Sequence, residues 1–273
     1  MTVGEALRAA ATRLAATSDT ARLDAELLMA HALGTTRSDM LLKAMRDPAP
    51  EGFAALVERR AAHEPVAYIT GEAEFHGLTL KVTPATLIPR GDSETLIEAA
   101  LERAGPEGRA LDLGTGSGAL LLAVLAQRPG WEGVGIDASA EALAVAEGNA
   151  AALGLAHRSA WHHLSWRAAG WAEGLGTFDL ILCNPPYVEE AATLDPQVRD
   201  FEPATALFAG PEGLDDYRIL IPQLRQLINP GAVAILEIGT NQAEAVGALA
   251  AAAGFTVALR RDLAGRPRAL VLG

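Results

Sequence analysis

The chain has 273 residues, half of them hydrophobic and 21% charged, enough for one large or two modest domains and too apolar for extensive disorder. Its formal charge of −12 disfavours nonspecific attraction to phosphate backbones, and its one cysteine, Cys183, leaves no internal disulfide. With no Cys/His zinc spacing, no apolar run of the roughly 20 residues a membrane span needs, and no basic or apolar leader at the start, the expectation is a cytoplasmic protein without a metal.

Residues up to about 69 read as a bundle of short helices. Over 19–33, Leu23, Leu27 and Leu28 recur at helical spacing, with Asp19 as the expected N-cap and Gly34 as the stop. A second helix is expected over 51–63, with Phe53, Leu56 and Val57 on one face and Pro65 just beyond it. From His76 the period changes to two. Leu78, Leu80 and Val82 alternate with Thr79 and Lys81, as in a half-buried strand of a connecting hairpin. The organisation predicted is a helical domain over 1–75, a β-hairpin linker over 76–90 and an α/β domain over 91–273.

From Arg109 onward apolar strands alternate with helical patterns, the sign of a mainly parallel sheet. Strands are expected at 110–113, 134–137, 178–183, 232–237, 255–259 and 269–272, with a weaker one at 159–163. Helices are expected at 119–127, 140–152, 217–228 and 242–252. Pro129-Gly130 and Pro230-Gly231 mark turns.

Three segments carry chemistry. The first is Asp112-Leu113-Gly114-Thr115-Gly116-Ser117-Gly118, at a strand-to-helix junction, where glycines let the backbone turn tightly and a ligand approach closely. Its Gly-x-Gly-x-Gly spacing differs from the dinucleotide fingerprint, and alone it is also compatible with a turn that holds no ligand. The second is Asp137, at the end of the next strand and about 20 residues on, where a carboxylate meets ribose hydroxyls. Asp137 or Ser139 can equally cap the following helix. Together the two segments point to a nucleoside ligand, with nicotinamide and S-adenosylmethionine both open.

The third segment is Asn184-Pro185-Pro186-Tyr187, which follows an apolar strand and so falls at the same carboxyl edge of the sheet. A Pro-Pro pair alone is most simply a rigid turn. Here the two prolines remove two backbone donors and leave carbonyl acceptors beside the Asn184 amide, a match for a substrate NH2, while Tyr187 offers a flat face to a planar amide or base. His162 and His163 alternate across a strand and do not share a ligand. Cys183 has no base near it in sequence, and Glu237, at another strand end, is left between substrate contact and solvation.

With these residues the chain resembles class I methyltransferases that act on amino or amide nitrogens. Glu64-Pro65-Val66-Ala67-Tyr68-Ile69-Thr70-Gly71, Glu74-Phe75-His76-Gly77-Leu78, Leu87-Ile88-Pro89-Arg90-Gly91-Asp92-Ser93-Glu94, Phe201-Glu202-Pro203-Ala204 and Asp262-Leu263-Ala264-Gly265-Arg266 narrow the resemblance to the release factor glutamine methyltransferases of the HemK/PrmC type. Gly91 stands where that family commonly has proline and Ser93 where it has threonine. Ser165-Trp166 stands where it often has an acidic residue before an aromatic.

The resemblance implies a Rossmann-like α/β domain of seven strands, the last antiparallel, and S-adenosyl-L-methionine as cofactor. Gly114, Thr115, Gly116, Ser117 and Gly118 would hold its methionine part, Asp137 the ribose, and Trp166, with Trp171 as rival, the adenine. Asn184, Pro185, Pro186 and Tyr187 would be the catalytic set, with Asn184 also beside the cofactor. The implied substrate is the glutamine of the Gly-Gly-Gln loop of peptide-chain release factors, met by a monomer with no nucleic-acid or membrane partner. A ribosomal-protein glutamine methyltransferase, a DNA adenine methyltransferase and a non-catalytic scaffold are the alternatives.

Overall fold

The computed structural model describes all residues from Met1 to Gly273, and the chain divides into two units: Met1–Glu72 with Leu194–Glu202, and Ala73–Thr193 with Pro203–Gly273. In the first unit, α1 (Val3–Leu14) begins in a reciprocal cap. The Thr2 hydroxyl accepts from the Glu5 N–H, and the Glu5 carboxylate accepts from the Thr2 N–H. Then follow α2 (Ala21–Leu33), the single turn α3 (Arg37–Asp39) running into a π-helical turn Met40–Ala44, α4 (Phe53–Ala61) and α5 (Val66–Thr70).

The helices close over Val3, Leu7, Leu14, Leu28, Met29, Met40 and Phe53. Two expectations need correction here. The N-cap of α2 is Thr20 rather than Asp19, and the buried face of α2 is Ala25, Leu28 and Met29, leaving Leu23 and Leu27 exposed. Asp24 explains the shift. It is buried against Arg60 at 2.7 Å and accepts from the hydroxyls of Ser18 and Thr20, so the buried carboxylate has donors on both oxygens and turns the helix face towards α4.

A hairpin, β1 (Glu72–Phe75) and β2 (Leu78–Lys81), begins at Glu72, four residues ahead of the linker expected over 76–90, and is followed in the second unit by α6 (Glu94–Arg103), which the sequence pattern had not singled out. Alternation then builds the sheet: β3 (Glu107–Leu113), α7 (Ala119–Gln127), β4 (Gly130–Asp137), α8 (Ala140–Ala152), β5 (Ser159–His163) and β6 (Phe178–Cys183). The short helix α9 (Pro196–Phe201) groups with the first unit. The chain finishes with α10 (Asp215–Leu220), β7 (Ile228–Glu237), α11 (Ala243–Ala252), β8 (Val257–Arg261) and β9 (Pro267–Leu272).

The sheet has seven strands in the order β5-β4-β3-β6-β7-β9-β8, all parallel except β9. Successive residues of the central strands face opposite sides and both sides are apolar, so the sheet is buried twice over. Ala110, Leu180, Leu182, Val233 and Ile235 pack with α6 and α7, while Leu111, Leu113, Ile181, Ala234 and Leu236 pack with α10 and α11.

Several expected bounds shift. The helix expected over 217–228 is α10 plus a 3-10 segment Ile221–Gln226, with Pro222 at the change of pitch. The strand expected at 255–259 is β8, displaced by two residues, since Phe255 turns into the core and the edge strand itself is exposed. Strand order reverses between β3 and β6, which opens a crevice at their carboxyl ends, the place where open α/β sheets bind ligands.

Candidate active site

That crevice is a cavity of about 850 Å³ within the second unit. Its floor is the β3–α7 loop. Gly114 and Gly116 adopt φ of 73° and 56°, left-handed values that L side chains avoid, so the loop presents bare backbone. Gly114, Thr115, Gly116 and Ser117 line the cavity. Gly118 lies behind them, starting α7 at φ 81° with a Cβ position already crowded by Leu122, Trp161 and Ala146; its part is to let the loop pack on α8. Asn149, buried on α8, ties this loop to the hairpin: its amide donates to the Ser117 and Lys81 carbonyls and accepts from the Lys81 N–H.

Asp137 stands at the end of β4 on the cavity wall. One of its oxygens accepts from the Gly116 N–H and the other from the Ser139 N–H, both at 2.9 Å, while Ser139 caps α8 through the Ala142 N–H. Both carboxylate oxygens are thereby fixed in direction and keep lone pairs for a diol. Just beneath, Asp112 is buried and accepts from the Thr115 hydroxyl at 2.6 Å. Burial pushes its pKa up to about 7, partly offset by that hydroxyl.

Trp166 lines the cavity with its ring against Gly114, and its indole N–H donates to Asp216, which also holds Arg167. Trp171 is elsewhere, 4% exposed in the core with its N–H on Gln223, and does not line the cavity. A bare glycine loop, an anchored carboxylate and an aromatic wall in one cavity fit a nucleoside cofactor with a charged tail, and S-adenosylmethionine has those parts.

Asn184 and Pro186 reach the same cavity from the end of β6. No group of the chain hydrogen-bonds the Asn184 side chain or the Pro185 carbonyl. Pro185 itself is buried. The loop beyond is pinned: Val188 donates to the Leu207 carbonyl and accepts from the Ala209 N–H, and Gln242 donates to the Tyr187 carbonyl. Tyr187 does not line the cavity; its hydroxyl donates to Glu237 at 3.1 Å. Glu237 is 1% exposed, so neither substrate contact nor solvation describes it. Burial raises the pKa of Glu237 and those of the Tyr187 hydroxyl and the Cys183 thiol, the last also held up by the carboxylates of Asp112, Asp216 and Glu237.

Asn149 and Asp216 are the site residues that sequence reasoning did not find; Asp112 and Glu237 were visible in the sequence, but their hydrogen-bond partners were not. Asn149 stands beside the alanines that end α8, the one signal available for it, whereas Asp216 follows Asp215 and has none.

Two family models match the chain: the PrmC N-terminal domain over 5–71 and the methyltransferase small domain over 91–206. A release factor glutamine methyltransferase of Caulobacter vibrioides is 44% identical over 93% of this chain and 90% of its own length, and one of Cereibacter sphaeroides is 44% identical over 98% and 97%. The chain belongs to the release factor glutamine methyltransferase family. Among solved structures, the hMettl16 catalytic domain in complex with an RNA hairpin superposes at TM-score 0.58 (15% identity, 79% of this chain and 82% of that one). A methyltransferase from Pyrococcus furiosus gives 0.51 (17% identity, 72% and 88%). At those identities they establish the fold alone, that of a Rossmann-like methyltransferase. The seven-stranded sheet with its single antiparallel strand is the architecture the resemblance implied.

Proposed function

We propose that the chain transfers a methyl group from S-adenosyl-L-methionine to the side-chain amide nitrogen (N5) of the glutamine in the Gly-Gly-Gln motif of peptide-chain release factors. The observation that carries this is the meeting in one cavity of Asn184, whose amide has no partner in the chain, with the glycine loop and Asp137. Family membership supplies the protein substrate.

When bound, S-adenosylmethionine supplies an electrophilic methyl on a sulfonium. Gly114, Thr115, Gly116 and Ser117 give it backbone without side chains, Gly118 shapes that loop, Asp137 accepts from the ribose hydroxyls and Trp166 flanks the adenine. The amide nitrogen is a poor nucleophile because its lone pair is delocalised into the carbonyl, and no side chain is basic enough to deprotonate it beforehand. Orientation must therefore do the work. The Asn184 side-chain oxygen and the Pro185 carbonyl accept the two amide hydrogens, an attraction that strengthens as positive charge grows on nitrogen. Pro186 stiffens the loop and Tyr187 packs behind it. The amide nitrogen would take the methyl from the sulfonium, leaving a neutral thioether, and, then strongly acidic, would give its proton to water.

The first unit has no residue in this chemistry, and its role in the proposal is to dock the folded factor. A competition assay tests the whole: with labelled cofactor, release factor should take up label ahead of ribosomal proteins and DNA. Preferential labelling of either of the others would overturn the substrate assignment.

A further inference from the structure

Glu237 is a carboxylate taken almost completely out of water at the end of β7, one strand from Asn184. Burying a charge is costly unless its oxygens are satisfied, and here both are. One accepts from the Ser93 hydroxyl at 2.5 Å and the other from the Tyr187 hydroxyl, while the Glu237 carbonyl accepts from Tyr217 at 2.6 Å. Ser93 is a cavity-wall residue in the turn before α6, and Tyr187 ends the loop that carries Asn184. The carboxylate thus joins two separate walls of the site. Arg268, close enough to favour the ionised form, is itself engaged by Asp92 at 2.7 Å, the neighbour of Ser93.

An element needed only to fill the core would be apolar here, since replacing a buried polar network by packed hydrocarbon is often neutral or stabilising. Two hydroxyl donors aimed at one carboxylate from two loops instead fix distance and direction between those loops.

We propose that Glu237 is a positioning residue for methyl transfer: by receiving both the Tyr187 and Ser93 hydroxyls it sets the Asn184–Tyr187 loop against the opposite wall of the cavity. This rests on the function proposed above. It places Glu237 out of contact with substrate and cofactor, acting through Tyr187. Glu237→Gln keeps the size but only one acceptor, so one hydroxyl must either turn away or reverse to accept from the new NH2 and leave its own proton without that partner; Tyr187→Phe and Ser93→Ala cut one arm each and leave the carboxylate in place.

The test measures turnover on release factor, cofactor affinity by calorimetry, and hydrogen exchange at the Tyr187 and Val188 amides. Glu237→Gln and Tyr187→Phe should each lower kcat by about tenfold or more, the scale of one positioned hydrogen bond, with cofactor Kd within about twofold. The double variant should be no slower than the worse single one, because both break the same link. Exchange at Tyr187 and Val188 should quicken in both singles with the rest of the chain unchanged. Unchanged kcat, multiplicative effects in the double variant, or a loss of cofactor binding in step with kcat would overturn the proposal. If the wild-type chain does not label release factor at all, the functional reading fails, and the exchange rates at Tyr187 and Val188 alone decide whether the clamp exists.

Discussion

Replacing Asp137 by Asn changes one atom of the side chain and separates binding geometry from steric loss. The carboxylate now takes the Gly116 N–H on one oxygen and the Ser139 N–H on the other, each at 2.9 Å. Asparagine has a single acceptor oxygen, so one of these backbone donors must face an NH2 group. If Gly116 loses its partner, the glycine loop is freed; if Ser139 does, the start of α8 is loosened. Either way one partly buried donor is left unmet, costing about 1–3 kcal/mol, and a ribose hydroxyl also loses its ionised acceptor. Cofactor affinity should fall roughly five- to 150-fold. Calorimetry with S-adenosylmethionine and its demethylated product reads this directly, and both should weaken alike because the methyl is remote from Asp137. Unchanged affinity for both would refute the placement of the ribose.

Other expected outcomes follow from the same geometry. Asn184→Ala should slow turnover by roughly 10²–10³-fold, the range for losing a transition-state hydrogen-bonding group, with cofactor Kd little changed; Asn184→Asp, which still accepts, should retain more activity. Asp216→Asn leaves the Trp166 and Arg167 donors to share one acceptor, and cofactor affinity measured by calorimetry should drop about five- to tenfold. Asp112, whose pKa rises on folding from 3.8 to about 7, binds a proton in the native state that the unfolded chain has released. Its contribution to stability therefore declines as pH rises through that window, by on the order of 4 kcal/mol at the upper limit. In thermal melts of the cofactor-free protein, Asp112→Asn should gain on the wild type from pH 5 to pH 8, and a constant difference would contradict the raised pKa. A chain lacking residues 1–72 should bind cofactor within about twofold of normal yet methylate folded release factor far more slowly, since remote contacts position the reacting group; equal rates would remove the docking role.

Much of this was legible in the sequence because the catalytic domain is written in two short-range signals. Apolar strands ending in Gly114, Asp137 and Asn184 place all three on one sheet edge, since parallel strands bring their carboxyl ends together. Trp166 against Trp171 was not decidable from position, for both lie on the irregular stretch after β5; only the fold puts one ring on the cavity and the other in the core. Glu237, Ser93 and Tyr187 were each visible singly, but their common carboxylate joins residues 144 positions apart, and nothing local encodes that pairing. The first unit was misread at Asp19 and Leu23 for a related reason. Leu23, Leu27 and Leu28 recur at helical spacing, but the buried Asp24–Arg60 pair, a contact between α2 and α4 that no local pattern encodes, goes with Ala25, Leu28 and Met29 facing inward.

The central claim is that one glutamine amide nitrogen accepts the methyl group. Unmethylated release factor incubated with this chain and S-adenosylmethionine, digested and sequenced by tandem mass spectrometry, reads the modified atom's residue directly. A single added methyl is expected on the glutamine of Gly-Gly-Gln, absent when Asn184→Ala replaces the wild type over the same short interval. Methyl on any other residue, or a factor left unmodified by an enzyme that binds cofactor normally, would contradict it.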